Sequence, residues 1–97
     1  MIVSFGDHAT EDLYHNRPSH RVRRFPPPII SLAWAKFDLL DSAAALIDLQ
    51  SPPGNRLKAL KGDMRGFHSI RVNQQWRIVF RWHRNNAYAV RLVDYHR

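Results

Sequence analysis

The sequence predicts an α+β domain in which two N-terminal helices pack on a small, mainly antiparallel twisted sheet. Two changes of pattern carry that prediction. Apolar residues recur at spacings of three and four up to about residue 50, and from residue 67 they alternate in twos. Size adds a third constraint: 97 residues hold one core and little else, so residues 1–97 read as a single domain.

Ile2, Val3, Ser4 and Phe5 suit one opening strand. Asp7 is placed to cap a short helix over residues 8–16, with Glu11 and Asp12 near its positive end. Pro18 disfavours helical geometry at Arg17 and ends it. Residues 17–24 form a basic connector, and Pro26-Pro27-Pro28 opens the next helix, where a missing N–H costs nothing. That helix is predicted over residues 28–49, with Ile30, Trp34, Phe37, Leu40, Ala44 and Ile47 as its core stripe. Pro52-Pro53-Gly54 closes it. Leu57 and Leu60 mark a short strand before a Gly62-Asp63 turn. Strands follow over residues 67–72, 76–82 and 87–95, joined at Asn73-Gln74 and Asn85-Asn86. Trp76, Ile78, Phe80 and Trp82 alternate with Arg77, Val79 and Arg81, as a strand with one buried face requires. In the last strand Tyr88, Val90 and Leu92 share a side. Trp34, Phe37, Trp76, Ile78 and Phe80 are expected in one core.

Fifteen Lys and Arg stand against eight Asp and Glu, a net charge of +7 on a small surface. Such a field draws polyanions, with RNA, DNA and ribosomes foremost, and an acidic protein partner equally well. The chain has no cysteine, so disulfide scaffolds, thiolate metal sites and cysteine nucleophiles are excluded. Lys36, Asp38 and Asp41 interrupt the longest apolar stretches, and residues 1–5 do not open a signal peptide, so no membrane association and a cytoplasmic address are expected.

No Gly-rich phosphate loop and no helical His-x-x-x-His or Glu-x-x-His pair occurs. The six histidines, at 8, 15, 20, 68, 83 and 96, are scattered, and neither a metal nor a cofactor is expected. What remains is a basic sheet ending in Asp94-Tyr95-His96. Arg71, Arg77, Arg81 and Arg91 fall on consecutive strands, so several should share a cationic face, and Lys58, Lys61 and Arg65 extend its rim. RNA cleavage without a metal needs a base for the 2′-OH, an acid for the leaving 5′-oxygen and fixed cations for the phosphorane. Histidine titrates near neutral pH and arginine grips two phosphate oxygens, so His96 and Arg77 suit these tasks, with Tyr95 and Asp94 beside them. Plainer readings stand next to this one: a solvated arginine face, a Tyr95 that closes the core, an ordinary ion pair at Asp94 and a solvated His96.

Three blocks carry a more specific signal. Residues 51–63, from Ser51-Pro52-Pro53-Gly54-Asn55-Arg56 to Lys61-Gly62-Asp63, resemble the HigB branch of the RelE/ParE toxin superfamily. So do residues 69–80, with their Arg71-Val72-Asn73-Gln74-Gln75-Trp76-Arg77 core, and the ending Val93-Asp94-Tyr95-His96. The resemblance implies a microbial-RNase-like fold, ribosome-dependent mRNA cleavage, and neutralisation by a HigA-type helix-turn-helix antitoxin through which alone operator DNA is met. It assigns Arg77 to the scissile phosphate, Asp94, Tyr95 and His96 to the catalytic end, and His96 to proton transfer. Lys58, Lys61, Arg65, Arg71 and Arg81 would bind RNA. One position departs: some HigB proteins carry a histidine where Lys58 stands, so phosphate neutralisation carries over to Lys58 but a two-histidine mechanism does not. The connector at residues 17–24 has no family counterpart and reads as an RNA- or antitoxin-contacting elaboration.

The leading function is therefore a ribosome-dependent endoribonuclease that inhibits translation and growth as the toxin of a type II pair. Two alternatives use the same fold and charge: a non-enzymatic inhibitor of a protein target such as gyrase, and an RNA-binding factor that interferes with ribosome function or assembly.

Overall fold

Asp7 starts the first helix. Its carboxylate accepts the Thr10 amide at 2.7 Å, satisfying one donor that a helix start leaves open, and α1 runs from His8 to Tyr14. The computed structural model describes residues 1–95. The buried Thr10 hydroxyl accepts the Leu92 amide at 2.9 Å, which ties α1 to the last strand.

The basic connector folds back on α1. His20–Arg24 form a 3-10 helix, and Asp12 accepts from Ser19 Oγ at 2.8 Å and pairs with Arg21 at 3.4 Å and Arg17 at 3.7 Å. Arg24 reaches Asp7 at 3.1 Å. The Ser19 hydrogen bond, aided by Arg21 and Arg17 against the cost of burial, holds the Asp12 carboxyl below its usual value. Arg17, Arg21 and Arg24 thus neutralise acids of their own chain.

α2 spans Pro27–Ser42 and stops well before residue 49, where the sequence pattern placed its end. Local hydrogen bonds decide this. Ser42 Oγ turns back to the Asp38 carbonyl at 2.9 Å, and the Asp48 carboxylate takes the Ala44 and Ala45 amides at 3.0 and 2.9 Å. Leu46–Gln50 then close into a separate 3-10 turn. The buried stripe of α2 is Ile29, Ala33, Phe37 and Leu40, one residue out of phase with the expected stripe at its start. Trp34 is corrected from core to rim: it is 38% exposed, and its indole N–H donates to the Leu13 carbonyl at 2.9 Å. Phe37, Trp76, Ile78 and Phe80 do share one buried cluster, as expected.

Four antiparallel strands follow in the order β1 (Lys58–Ala59), β2 (Phe67–Arg71), β3 (Trp76–His83) and β4 (Asn86–Asp94). The β3–β4 turn is Arg84-Asn85, one residue earlier than expected. Both have positive φ, 49° and 63°, as a two-residue type I′ turn demands, and His83 pairs with Asn86. A register shift between Val79 and Arg81, with Ala89 at φ 52°, sends Ala87, Val90 and Leu92 into the core and leaves Tyr88 out of it. Residues 2–5 make two isolated parallel bridges, Ile2 to Ala87 and Phe5 to Val90, instead of a full strand. No helix is long and apolar enough to cross a membrane among the described residues.

Candidate active site

The helices cover one face of the sheet, and the arginines of β2 and β3 lie on the other. On that second face the register sets Arg71 opposite Arg77, the buried Ser69 opposite the buried Val79, and Lys58 opposite Ser69. Lys58, Arg71 and Arg77 among these border a cleft of about 610 Å³, together with Arg56, Asn73, Gln74, Gln75 and Tyr95. Four cations, three amides and one phenol line it, and none of these residues carries a carboxylate. Such a lining suits a polyanion with hydrogen-bonding bases.

Arg77 is the most constrained cation. Its Nε donates to Ser69 Oγ at 2.8 Å, and its Nη2 donates to the Arg56 carbonyl at 2.7 Å and to the Ser69 carbonyl at 3.4 Å. Its guanidinium carbon stands 5.9 Å from the centre of the Tyr95 ring. Burial lowers the affinity of Arg77 for its proton, Tyr95 opposes that, and Arg71 and Arg56 add to the lowering. The group still stays charged near neutral pH. A half-buried cation repelled by two neighbours is poised to gain from an incoming phosphate.

Arg71 Nε donates to the Asn73 carbonyl at 3.0 Å. The Asn73 side chain accepts the Gln75 and Trp76 amides at 2.8 and 2.7 Å, which shapes the turn that carries Gln74 and Gln75. Tyr95 is 37% exposed, and its amide donates to the Gln75 carbonyl. Asp94 does not line the cleft; it accepts from Gln75 Nε2 at 3.0 Å and meets the cleft through that amide. His96 lies outside the described residues.

Of the residues expected to bind RNA, Lys58 and Arg71 line the cleft, while Lys61, Arg65 and Arg81 do not. Lys61 and Arg65 flank the exposed 3-10 turn Gly62–Met64. Arg81 lies farther along β3, stacked 4.6 Å above the Phe67 ring, and a Cβ on Gly66 would come within 3.2 Å of its Nη1. The Arg91 side chain packs on Gly6, whose added Cβ would meet it at 2.5 Å. Sequence reading missed Arg56, Ser69, Gln74 and Gln75. Ser69 was legible in principle, since it stands two residues from Arg71 and therefore on the same face. Arg56 was not: it reaches Arg77 through a main-chain carbonyl, which any residue has.

Comparison with known proteins gives this geometry a context. The family model described as the RelE-like toxin of type II toxin–antitoxin system HigB matches residues 3–96. A Vibrio cholerae protein named Toxin HigB-1 is 40% identical over 82 residues, 84% of either chain. Endoribonuclease HigB of Proteus vulgaris is 44% identical over 41 residues, covering 42% of this chain and 45% of that one. A chain of the YoeB-YefM complex from Staphylococcus aureus superposes with a TM-score of 0.61 at 15% identity, over 100% of this chain and 99% of that one, a likeness of fold.

Proposed function

We propose, from the premise that the chain belongs to the HigB family of RelE-like toxins of type II toxin–antitoxin systems, that it is a metal-independent endoribonuclease acting on mRNA engaged by the ribosome. The observation that carries this reading is Arg77, held beside Tyr95 in a cleft with three further cations. The RNA 2′-hydroxyl gives up its proton to solvent water as its oxygen attacks phosphorus, the bond to the 5′-oxygen breaks, and a 2′,3′-cyclic phosphate results. Arg77 stabilises the phosphorane charge, and His96, next in sequence to Tyr95, gives a proton to the leaving 5′-oxygen. Tyr95 and Asp94 orient the participants, Asp94 through Gln75. Arg56, Lys58 and Arg71 neutralise flanking phosphates, and Lys61, Arg65 and Arg81 add attraction from farther out. The ribosome presents the mRNA in a conformation ready for attack.

A HigA-type helix-turn-helix antitoxin is the expected neutralising partner, and operator DNA is met only through it. The deciding assay is cleavage of mRNA on purified ribosomes with chelator present, scored for cyclic phosphate ends. Arg77→Ala and His96→Ala should each lose about 10²–10³ in rate while remaining folded and antitoxin-bound. Cleavage by His96→Ala at the wild-type rate removes His96 from the mechanism. Growth arrest by a wild type that cuts no mRNA makes the chain a non-enzymatic inhibitor.

A further inference from the structure

Arg77 is surrounded by reasons to move. Arg71 lies directly across the ladder and Arg56 beside it, and both repel it, so a free guanidinium there would swing toward water. It is held instead by three N–H donations, from Nε to Ser69 Oγ, and from Nη2 to the Arg56 and Ser69 carbonyls. Ser69 is fully buried, so water does not compete for its hydroxyl. Arg56 is left-handed at φ 45°, ψ 55°, a conformation unusual for a non-glycine residue, and this backbone turn sets the direction of its carbonyl.

The turn has its own support. Asn55 is also fully buried, and its Nδ2 donates to the Leu49 and Ser51 carbonyls at 3.1 and 3.2 Å. Its Oδ1 accepts from the Lys36 ammonium of α2. Polar contacts therefore tie α2 to Asn55, the backbone carries that support to the adjoining Arg56, and the Arg56 carbonyl ends on the cleft arginine.

We infer that the Ser69 hydroxyl and the Arg56 carbonyl form a bracket that aims Arg77 at the scissile phosphate, so that Ser69, and Asn55 behind Arg56, are positioning residues. The inference rests on the endoribonuclease reading and sharpens it. With Nε and Nη2 engaged, Arg77 meets phosphate end-on through Nη1, which makes no hydrogen bond among the described residues, and not through the side-on Nε/Nη2 fork.

The test combines a spectroscopic and a kinetic readout on the full chain. In ¹⁵N-labelled wild type, the Arg77 Nε–H should exchange with water at least tenfold more slowly than the exposed Arg81 Nε–H, and Ser69→Ala should abolish that protection. Single-turnover cleavage by Ser69→Ala should fall about 10- to 100-fold, the loss expected of a misaimed catalytic group. Ribosome affinity should change less than about twofold, because the charge remains. In an Arg77→Ala background the same Ser69→Ala change should cost nothing further, which a merely structural role would not produce. Asn55→Asp, which keeps an acceptor for Lys36 but removes both donors to the turn, serves if Ser69→Ala does not fold, and the same rate loss is expected. The bracket is refuted by unprotected Arg77 Nε–H in the wild type, by Ser69→Ala cutting at the wild-type rate, or by an equal Ser69→Ala loss with and without Arg77. A protected Nε–H in a wild type that cuts no RNA sinks the endoribonuclease reading, and the positioning role with it, while leaving the hydrogen bond in place.

Discussion

Arg71 and Arg77 face one another directly across β2 and β3, each tied to a different acceptor, Arg71 to the Asn73 carbonyl and Arg77 to Ser69. Like charges opposite each other weaken a ladder by roughly 0.2–1 kcal/mol. The cleft thus carries an electrostatic cost that an anion relieves. Arg71→Gln is expected to raise stability by about that amount while weakening RNA binding. Inorganic phosphate should raise the wild-type melting temperature more than that of Arg71→Gln, since only a ligand preferring the native state stabilises it. Identical phosphate responses in the two proteins, against a chloride control, would show that this repulsion is not felt.

Affinity for single-stranded RNA should fall with salt at a log–log slope near −0.7 for each phosphate neutralised. Lys58→Ala, within the cleft, is expected to reduce that slope by about 0.7. Lys61→Ala and Arg65→Ala, outside it, should change it by less than half as much. Fluorescence titrations across a salt series measure this. Equal slope changes for Lys58 and Lys61 would mean that RNA tracks across the whole basic face instead of seating in the cleft.

Replacing the buried Phe37 or Phe80 with Ala should cost about 3–5 kcal/mol, and chemical denaturation reads the loss. Trp34→Ala should cost less than half of that. Its ring is partly solvated, and what is lost is one hydrogen bond to the Leu13 carbonyl and partial burial. A Trp34→Ala loss as large as that of Phe37→Ala would return the tryptophan to the core.

Acid should loosen the connector first. The Asp12 carboxyl is lowered in the folded protein, so its contribution is complete above the unfolded value of about 3.8 and fades as pH falls through the lower folded one. Melting temperatures recorded from about pH 5 downward should therefore drop more steeply for the wild type than for Asp12→Asn, which has no charge to lose. At neutral pH the same variant should speed amide exchange at Phe25, whose N–H donates to the Val22 carbonyl that closes the 3-10 turn. Parallel pH curves would unlink Asp12 from stability.

The alternation from Trp76 to Trp82 and the spacing in α2 were enough to read the fold class, because both patterns follow from which face is buried. Their failures have local causes. The helical period runs on through Ala44 and Ile47, yet Asp48 captures two amides and ends the helix, a competition that periodicity does not register. Trp34 counts as apolar in a stripe, but its one donor seeks a carbonyl and draws the ring to the rim. In the cleft, Arg71 and Arg77 were legible from strand register and residue type. The Arg56 contribution was not, since it lies in a backbone angle, nor were the ion pairs that tie Arg17 and Arg21 of the connector to Asp12 and Arg24 to Asp7.

The bridges made by residues 2–6 bear on self-association. Val3 and Gly6 donate to the Ala87 and Val90 carbonyls at 2.8 and 2.9 Å, and Ala87 and Val90 donate back to Met1 and Ser4 at 2.9 and 3.1 Å. The outer border of β4 is thereby paired from Ala87 to Val90, and the opposite border of the sheet is β1, only two residues long. A second copy of the chain, or an unfolded segment of another protein, therefore meets, along Ala87–Val90 of β4 among the described residues, a border that is already hydrogen-bonded. Strand addition on β4 would have to displace the bonds that residues 1–6 already make to Ala87 and Val90, and at the other border it would have two residues to build on.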